Sequence, residues 1–173
     1  MLKVRVTNMS DLNTVKFATI FNELIKEFPD VPHDAIEAAL EFKMVAAKMQ
    51  LEREELFSHF GITPGRFHLL MILKGEEGYI LSPSELAKRT SVTRATMTQF
   101  VDALERDEYV RRTDDPKDRR GMLVQLTDKG IAKLKEILPH YFRRLTEFTS
   151  ELSIEERDTL MKIMKKIQET GSH

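Results

Sequence analysis

Short polar side chains and one arginine lie on one face of a segment that begins at Thr93. Apolar residues inside it, Met97, Val101 and Leu104, are spaced four and then three apart, which is the period of a helix with one buried face. The outward positions are Arg94, Thr96 or Ala95, Thr98 and Gln99. In the major groove of DNA an arginine can pair with guanine and a glutamine with adenine, and a threonine can donate to phosphate or contact a thymine methyl group. The pattern predicts a helix that reads base pairs.

The charges around this helix favour a polyanionic partner. From Leu86 through Val101 the chain has three basic residues, Lys88, Arg89 and Arg94, and no acidic one that would repel a phosphate backbone. Over the wider stretch 83–121, nine basic residues accompany eight acidic ones, so this surface is polarised rather than basic as a whole. A helix that begins after Thr93 also presents free backbone N–H groups, which can bind a phosphate.

Two other interpretations fit the same residues. The segment can be an ordinary surface helix with a polar outer face, because helix-turn-helix patterns are common false positives. It can also belong to a winged-helix module that binds proteins and does not read DNA. The acid-free face separates these alternatives, since a protein-binding module would not need it.

The neighbouring segments predict the elements that position this helix. Ser82-Pro83-Ser84-Glu85 has the residues of a capping box and begins a helix that ends near Thr90. Ser91-Val92 then forms a short turn before Thr93. A strand over 109–113, a turn-rich loop over 114–118 and a returning strand over 123–126 make a hairpin. Two helices joined by a tight turn and followed by a hairpin predict a winged helix-turn-helix at about residues 82–127.

Amphipathic helices are predicted on both sides of this unit, and the fold class is therefore mainly α with a small β-hairpin wing. Before the unit we predict a helix over 12–28 that Phe28-Pro29 breaks, a helix over 33–60, an apolar and buried helix from Thr63-Pro64, and a short strand over 79–81. After the unit we predict a helix that follows Thr127 and is interrupted or kinked at Pro139, and a last helix capped by Ser153 and Glu156. The stripe of the second helix is Ile36, Leu40, Met44, Ala47, Leu51 and Phe57, and that of the last is Leu160, Ile163, Met164 and Ile167.

Composition excludes several classes of function. The chain has 173 residues, a net charge of −1 and no cysteine, which rules out disulfides, thiolate zinc sites and a cysteine redox sensor. It lacks a Gly-rich phosphate loop and a Gly-x-Ser-x-Gly elbow, so we predict that it is not an enzyme and has no cofactor. No apolar run reaches the length of a membrane span and no signal peptide begins the chain, so we expect no membrane contact and a cytoplasmic location.

The run from Asp114 to Gly130 resembles the wing of the MarR family of bacterial and archaeal regulators. That family has Asp-x-Arg at the wing tip, here Asp118 and Arg120, followed by alternating apolar residues and Leu-Thr-x-x-Gly, here Leu126-Thr127 and Gly130. Ile62-Thr63-Pro64, the Ser-Pro-Ser-Glu-Leu-Ala start and the Val-Thr-Arg-Ala-Thr-Met-Thr run are similar as well. The resemblance is specific over about Gly61–Gly130, whereas the outer helices match only in length and amphipathic character.

The resemblance implies a ligand-responsive homodimeric repressor that binds a pseudo-palindromic operator. Residues 1–60 and 131–173 would then be dimerisation helices, and residues 61–130 the DNA-binding domain. It also implies that Arg120 enters the minor groove, held by Asp118, while Arg119 contacts the backbone. The alternative for Asp118 and Arg120 is a solvated ion pair in a turn. The predicted DNA-binding residues are Ser82, Ser84, Lys88, Thr93, Arg94, Ala95, Thr96, Thr98, Gln99, Asp118, Arg119 and Arg120.

An effector site also follows from the resemblance, because many members of the family bind small aromatic anions beside the dimer helices. Met49, Arg53, His68 and Met71 are the candidate residues here, although for any single methionine a place in the core is the favoured alternative. Some members bind metal near the same helices. We predict no metal site, because His33, His59, His68 and His140 are scattered and each fits a structural or solvated role.

Two features depart from the family pattern. Gln99 occupies a position that is often basic in the family, which alters the expected phosphate contact or base preference. The stretch before His33 is unusually long, and we expect it to extend the dimer interface.

Overall fold

The computed structural model describes residues 20–21, 23–116 and 118–170. Within them the chain forms six α-helices, two short 3₁₀ helices and one antiparallel sheet of three strands. The predicted fold class, mainly helical with a small hairpin, is confirmed. The chain divides after Gln50 into two compact units.

The first unit contains a 3₁₀ helix, Ile25–Glu27, and most of a long helix α1, His33–His59. Between them the chain leaves the helical conformation at Phe28, directly before Pro29, as the proline predicted. Ile25 is buried, whereas Ile20, Leu24 and Phe28 are exposed. Residues 12–19 of the first predicted helix lie outside the described residues.

The apolar stripe of α1 is covered unevenly. Leu40 and Met44 are partly exposed, and Leu51 exposes 62% of its surface, whereas Phe57 is buried. The stripe is therefore core only at its C-terminal end and is an apolar surface of this chain elsewhere.

The second unit combines helices with a small antiparallel sheet. Its elements are α2, Pro64–Gly75; β1, Ile80–Leu81; α3, Pro83–Thr90; α4, Arg94–Arg106; β2, Val110–Asp115; β3, Asp118–Leu126; α5, Asp128–Glu147; and α6, Ile154–Thr170. A 3₁₀ turn, Glu77–Tyr79, leads into β1. The strand order is β1-β3-β2, with Leu81 opposite Val124 and Val110 opposite Leu126.

The core of the second unit is built around α2, as its nearly continuous apolar sequence predicted. Phe67, Leu69, Leu70 and Leu73 are all buried. The Phe67 ring lies 4.6 Å from the Phe57 ring of α1, centroid to centroid. The other buried apolar residues of this unit, apart from Phe57, are Ile62, Leu86, Ala87, Met97, Val101, Ala103, Leu104, Val110, Val124, Leu126, Leu134 and Ile137. This core fixes α3 and α4 against the sheet.

The hairpin strands are longer than the sequence predicted. β2 continues to Asp115 and β3 begins at Asp118, so the backbone of Asp118, Arg119 and Arg120 belongs to a strand rather than to a loop. The sequence predicted a loop over 114–118 because this stretch contains three aspartates and a proline, which favour turns. The antiparallel ladder continues instead, and a register shift between Asp114 and Asp115 accommodates the tight connection.

Helix α5 continues through Pro139, so of the two alternatives the interruption is wrong, and a kink at Pro139 stays a prediction. A proline removes one helical hydrogen bond and leaves the carbonyl four residues earlier, here that of Lys135, without its usual donor. Pro139 and Lys135 are both exposed, so water can bond that carbonyl. Leu134 and Ile137 are buried on the opposite face and hold the helix in place.

Candidate nucleic-acid interface

Helix α3 begins at Ser82, whose hydroxyl accepts from the backbone N–H of Glu85 at 3.2 Å. Pro83 follows in the first helical position, as predicted. Only half of the predicted capping box forms within the described residues, because the Glu85 carboxylate accepts from Nε of Arg89 at 3.2 Å rather than from Ser82. The capping box predicted at Ser153 and Glu156 is complete, with bonds of 3.2 and 2.8 Å.

The turn between α3 and α4 is closed by a left-handed residue. Ser91 has φ 53° and ψ 36°, and the N–H of Val92 donates to the Ala87 carbonyl at 3.1 Å. This is the hydrogen bonding of a Schellman motif, which ends a helix and turns the chain sharply. Thr93 then caps α4 by accepting from the N–H of Thr96 at 3.1 Å. The helix-turn-helix is therefore held by local backbone bonds.

Helix α4 separates an apolar inner face from a polar outer face. Met97, Val101, Ala103 and Leu104 are buried. The predicted reading residues lie outside: Arg94, Ala95, Thr98 and Gln99 are exposed and Thr96 is partly exposed. The predicted residues of this helix therefore share one surface, and Ser84 and Lys88 of α3 are exposed as well.

The threonine hydroxyls of this face are engaged with the protein itself. The Thr98 hydroxyl donates to the Arg94 carbonyl at 3.0 Å, and the Thr96 hydroxyl lies 2.8 Å from that of Thr93. Donation from Thr98 to a phosphate thus requires its side chain to rotate. The methyl group of Thr98 can contact a base without that rotation.

A close approach sets the position of α4 on α2. A Cβ atom built on Gly65 would lie 2.7 Å from the Phe100 ring, inside van der Waals contact. Only a residue without a side chain allows Phe100 to pack there. The sequence did not reveal this role of Gly65, because Phe100 lies far along the chain.

Arg89 belongs to a structural ion pair rather than to the reading face. Its guanidinium donates to the carboxylates of Glu76 and Glu85, and the bond to Glu76 is the main reason that the pKa of Arg89 is raised. Two of the three cations counted from the sequence, Lys88 and Arg94, have no partner among the described residues. The excess of positive charge on this face is therefore smaller than the sequence indicated.

The wing is joined to the rest of the unit at its base. The Gln125 side chain on β3 accepts from the Arg111 guanidinium at 2.9 and 2.7 Å and donates to the Gly78 carbonyl at 3.2 Å. The side chains of Asp118, Arg119 and Arg120 lie outside the described part of the chain, so their pairing stays a prediction.

Arg112 on β2 makes a second connection, from the wing to the reading helix. Its Nη2 donates to Oδ1 of Asp102 at 2.5 Å, its Nη1 donates to the Glu105 carboxylate, and its backbone N–H donates to Oε1 of Glu105 at 3.1 Å. The bond to Asp102, with the attraction of Glu105, raises the pKa of Arg112 above its ordinary value. The sequence alone gives no signal for this role of Arg112, because its partners lie seven and ten residues away in the chain.

Three of the four candidate effector residues line one pocket. It measures about 440 Å³ and is bounded by Arg53, His68 and Met71 together with Phe57, Pro64, Gly65, Phe67 and Tyr141. Apolar walls together with a guanidinium and an imidazole suit a flat molecule with an acidic group. Met49 belongs to the first unit, and its role stays a prediction.

Within the described residues, no group of three or more histidine, aspartate or glutamate side chains is placed to hold a metal ion. Over the same residues, each helix is too short or too polar to cross a membrane.

Comparison with known proteins places this geometry among transcription regulators. Residues 62–122 match the model of the MarR family. The HTH-type transcriptional repressor YetL of Bacillus subtilis is 33% identical over 142 residues, covering 82% of this chain and 85% of that protein. The transcriptional repressor MprA of Escherichia coli is 30% identical over 138 residues, covering 80% and 78%. In fold, the chain is similar to Sco3205, a MarR family regulator of Streptomyces coelicolor solved in complex with DNA, with a TM-score of 0.71, 24% identity and coverage of 83% and 91%.

Proposed function

Because this chain belongs to the MarR family, we propose that it represses transcription as a homodimer that binds a pseudo-palindromic operator and releases it when an effector binds. It is a DNA-binding transcription regulator, as the analysis of α4 predicted. The observation that carries the proposal is the outer face of α4, where Arg94, Thr98 and Gln99 are exposed in a stretch, Leu86 to Val101, that contains no acidic residue. The cytoplasmic location expected from the sequence remains a prediction.

We assign the roles on this surface by the chemistry of each side chain. Arg94 pairs with a guanine edge and Gln99 with an adenine edge, while Ala95 and the Thr98 methyl group contact thymine. The residues assigned to phosphate are Ser82, Ser84, Lys88, Thr93, Thr96 and Arg119. Arg120 enters the minor groove, steadied by Asp118.

The homodimer accounts for the apolar surface that this chain leaves exposed. Leu160, Ile163, Met164 and Ile167 lie on one face of α6 at helical spacing, and each exposes more than a third of its surface. A second copy of the chain would cover this face, and two-fold symmetry would place two reading helices about 34 Å apart on successive turns of DNA.

The pocket beside α2 is the proposed effector site. Its apolar walls and the Arg53 guanidinium favour an aromatic carboxylate or phenol. Such an effector weakens DNA binding only if it binds the DNA-incompetent conformation more tightly than the competent one. Release of a bound operator by a panel of aromatic acids, lost in the Arg53→Ala variant, would support this assignment.

Selection of duplexes from a randomised library tests the main proposal. We expect a two-fold symmetric sequence to be enriched, and Arg94→Ala to weaken binding to it by about 1–3 kcal/mol and to relax preference at one base pair per half-site. The matched control is Arg106→Ala, which removes the same charge from the other end of α4. Binding without enrichment, or an Arg94→Ala variant that binds as well as the parent, would contradict the proposal and favour a protein-binding module.

Two further variants separate the wing from the helix. Arg120→Ala should weaken binding in proportion to A·T content and groove width near each half-site. Arg119→Ala should weaken binding to all sequences about equally and reduce the salt dependence by about one ion per protomer.

A further inference from the structure

Within the described residues, Arg112 connects the wing to the reading helix through both its side chain and its backbone N–H. Arg112 lies in the middle of β2, opposite Val124 of β3, so its backbone is part of the hairpin ladder. Its side chain and its N–H reach Asp102 and Glu105, which lie one turn apart on α4. Arg112 exposes 29% of its side chain, against 58% for Asp102 and 37% for Glu105, so the guanidinium is the most shielded group of the three.

The two acceptors are the first acidic residues after the acid-free part of α4. They lie on the helix that we propose to enter the major groove, where a carboxylate would repel phosphate. Arg112 neutralises part of that charge. A purely electrostatic role would need no defined geometry, however, whereas the observed contacts are directional and use both ends of the guanidinium.

We propose that Arg112 is a positioning residue for DNA recognition, which holds the wing at a fixed angle to α4 so that the wing and the helix contact one half-site together. The inference rests on the proposed function. It assigns Arg112 no contact with DNA. The role requires an arginine, because a planar guanidinium donates to two carboxylates at once and a lysine ammonium cannot reproduce that geometry.

A double-mutant cycle measures this coupling between the wing and the helix. If Arg112 positions the wing, Arg112→Ala weakens binding to the selected duplex by about tenfold or more, and Arg120→Ala in that background costs less than about twofold further. Arg94→Ala should weaken binding by the same factor in the Arg112→Ala background as in the parent, because the buried face of α4 holds that helix in place. Arg112→Lys should resemble Arg112→Ala despite its unchanged charge.

Arg111→Ala is the matched control for loss of a wing arginine. Arg111 is the adjacent residue of β2, and its side chain bonds Gln125 rather than α4. Its effect should add to that of Arg120→Ala without coupling. Circular dichroism and thermal unfolding of each variant verify that the fold is intact.

Removal of the two acceptors distinguishes positioning from electrostatics by the direction of the effect. The variant Asp102→Ala/Glu105→Ala keeps the helix, because alanine favours it, and deletes two negative charges. Positioning predicts weaker binding, whereas electrostatics alone predicts tighter binding. Tighter binding here, or additive losses for Arg112→Ala and Arg120→Ala, would overturn the inference. A parent protein that selects no sequence would instead overturn the proposed function.

Discussion

At the scale of single residues, the Leu-Thr-x-x-Gly sequence at the end of the wing has a physical explanation. Thr127 caps α5 by accepting from the N–H of Gly130 at 3.0 Å, and its hydroxyl also lies 2.7 Å from the Glu108 carbonyl. A Cβ atom on Gly130 would lie 2.2 Å from the Tyr109 carbonyl oxygen. The motif therefore joins the start of α5 to the start of β2, and it does so by a contact that no larger residue permits.

Gly130→Ala should lower the free energy of unfolding by about 2 kcal/mol or more, because the backbone must move to relieve the overlap. Denaturation in urea would measure the change. Gly75→Ala is the control, since a Cβ there would meet nothing within 4 Å and alanine favours the helix, so this variant should be about 0.5–1 kcal/mol more stable. Equal stability of the two variants would contradict the predicted overlap.

At the scale of secondary-structure elements, the turn between α3 and α4 depends on one residue in the left-handed region. Ser91 adopts φ 53°, which costs an ordinary residue about 1–2 kcal/mol and glycine very little. A glycine also loses more freedom on folding, by about 0.4–1 kcal/mol, so the two effects partly cancel.

We expect Ser91→Gly to stabilise the protein by about 0.5 kcal/mol and Ser91→Val to destabilise it by more than about 1 kcal/mol, because a branched Cβ clashes in that conformation. Urea unfolding of both variants would check the order. At the exposed helical position Ser84, glycine should instead destabilise by about 0.5 kcal/mol. If glycine had the same effect at both sites, the turn would not impose a left-handed residue.

At the scale of the whole molecule, α6 has an apolar face that the rest of this chain leaves exposed. Ile163 and Ile167 expose 51% and 50% of their surface, and Leu160 and Met164 expose 37% and 39%. Contiguous apolar patches of this kind usually mark an interface, and the homodimer proposed above would bury this one.

Ile163→Glu should therefore weaken the dimer by at least about tenfold, because an interface that buries an unpaired carboxylate loses several kcal/mol. Sedimentation would show monomer at concentrations where the parent is dimeric, and operator affinity should fall with it. Lys165→Gln changes the charge by the same amount on another face of α6 and should leave the dimer intact. A parent protein that sediments as a stable monomer at micromolar concentration would refute the dimer.

Much of the architecture could be predicted because its causes are local. The caps at Ser82, Thr93 and Thr127 bond N–H groups three residues later, and the spacing of Val101 and Leu104 identifies the buried face of α4. These relations lie within one or two turns of helix, so they are legible in the order of residues. The boundaries of α3 and α4 and the exposed position of Arg94 were therefore predictable from the sequence by itself.

The tertiary structure decided what depends on residues far apart in the chain. Arg89 bonds Glu76, which lies thirteen residues earlier in the chain. From the sequence by itself, Arg89 was included among the cations of the reading face. The link between Arg112 and Asp102, and the approach of Gly130 to Tyr109, exist only once strand, helix and turn are packed together. Side-chain chemistry and short-range periodicity identified the surface that we propose to read DNA, whereas long-range packing decided which of its charges remain free and at what angle the wing is held.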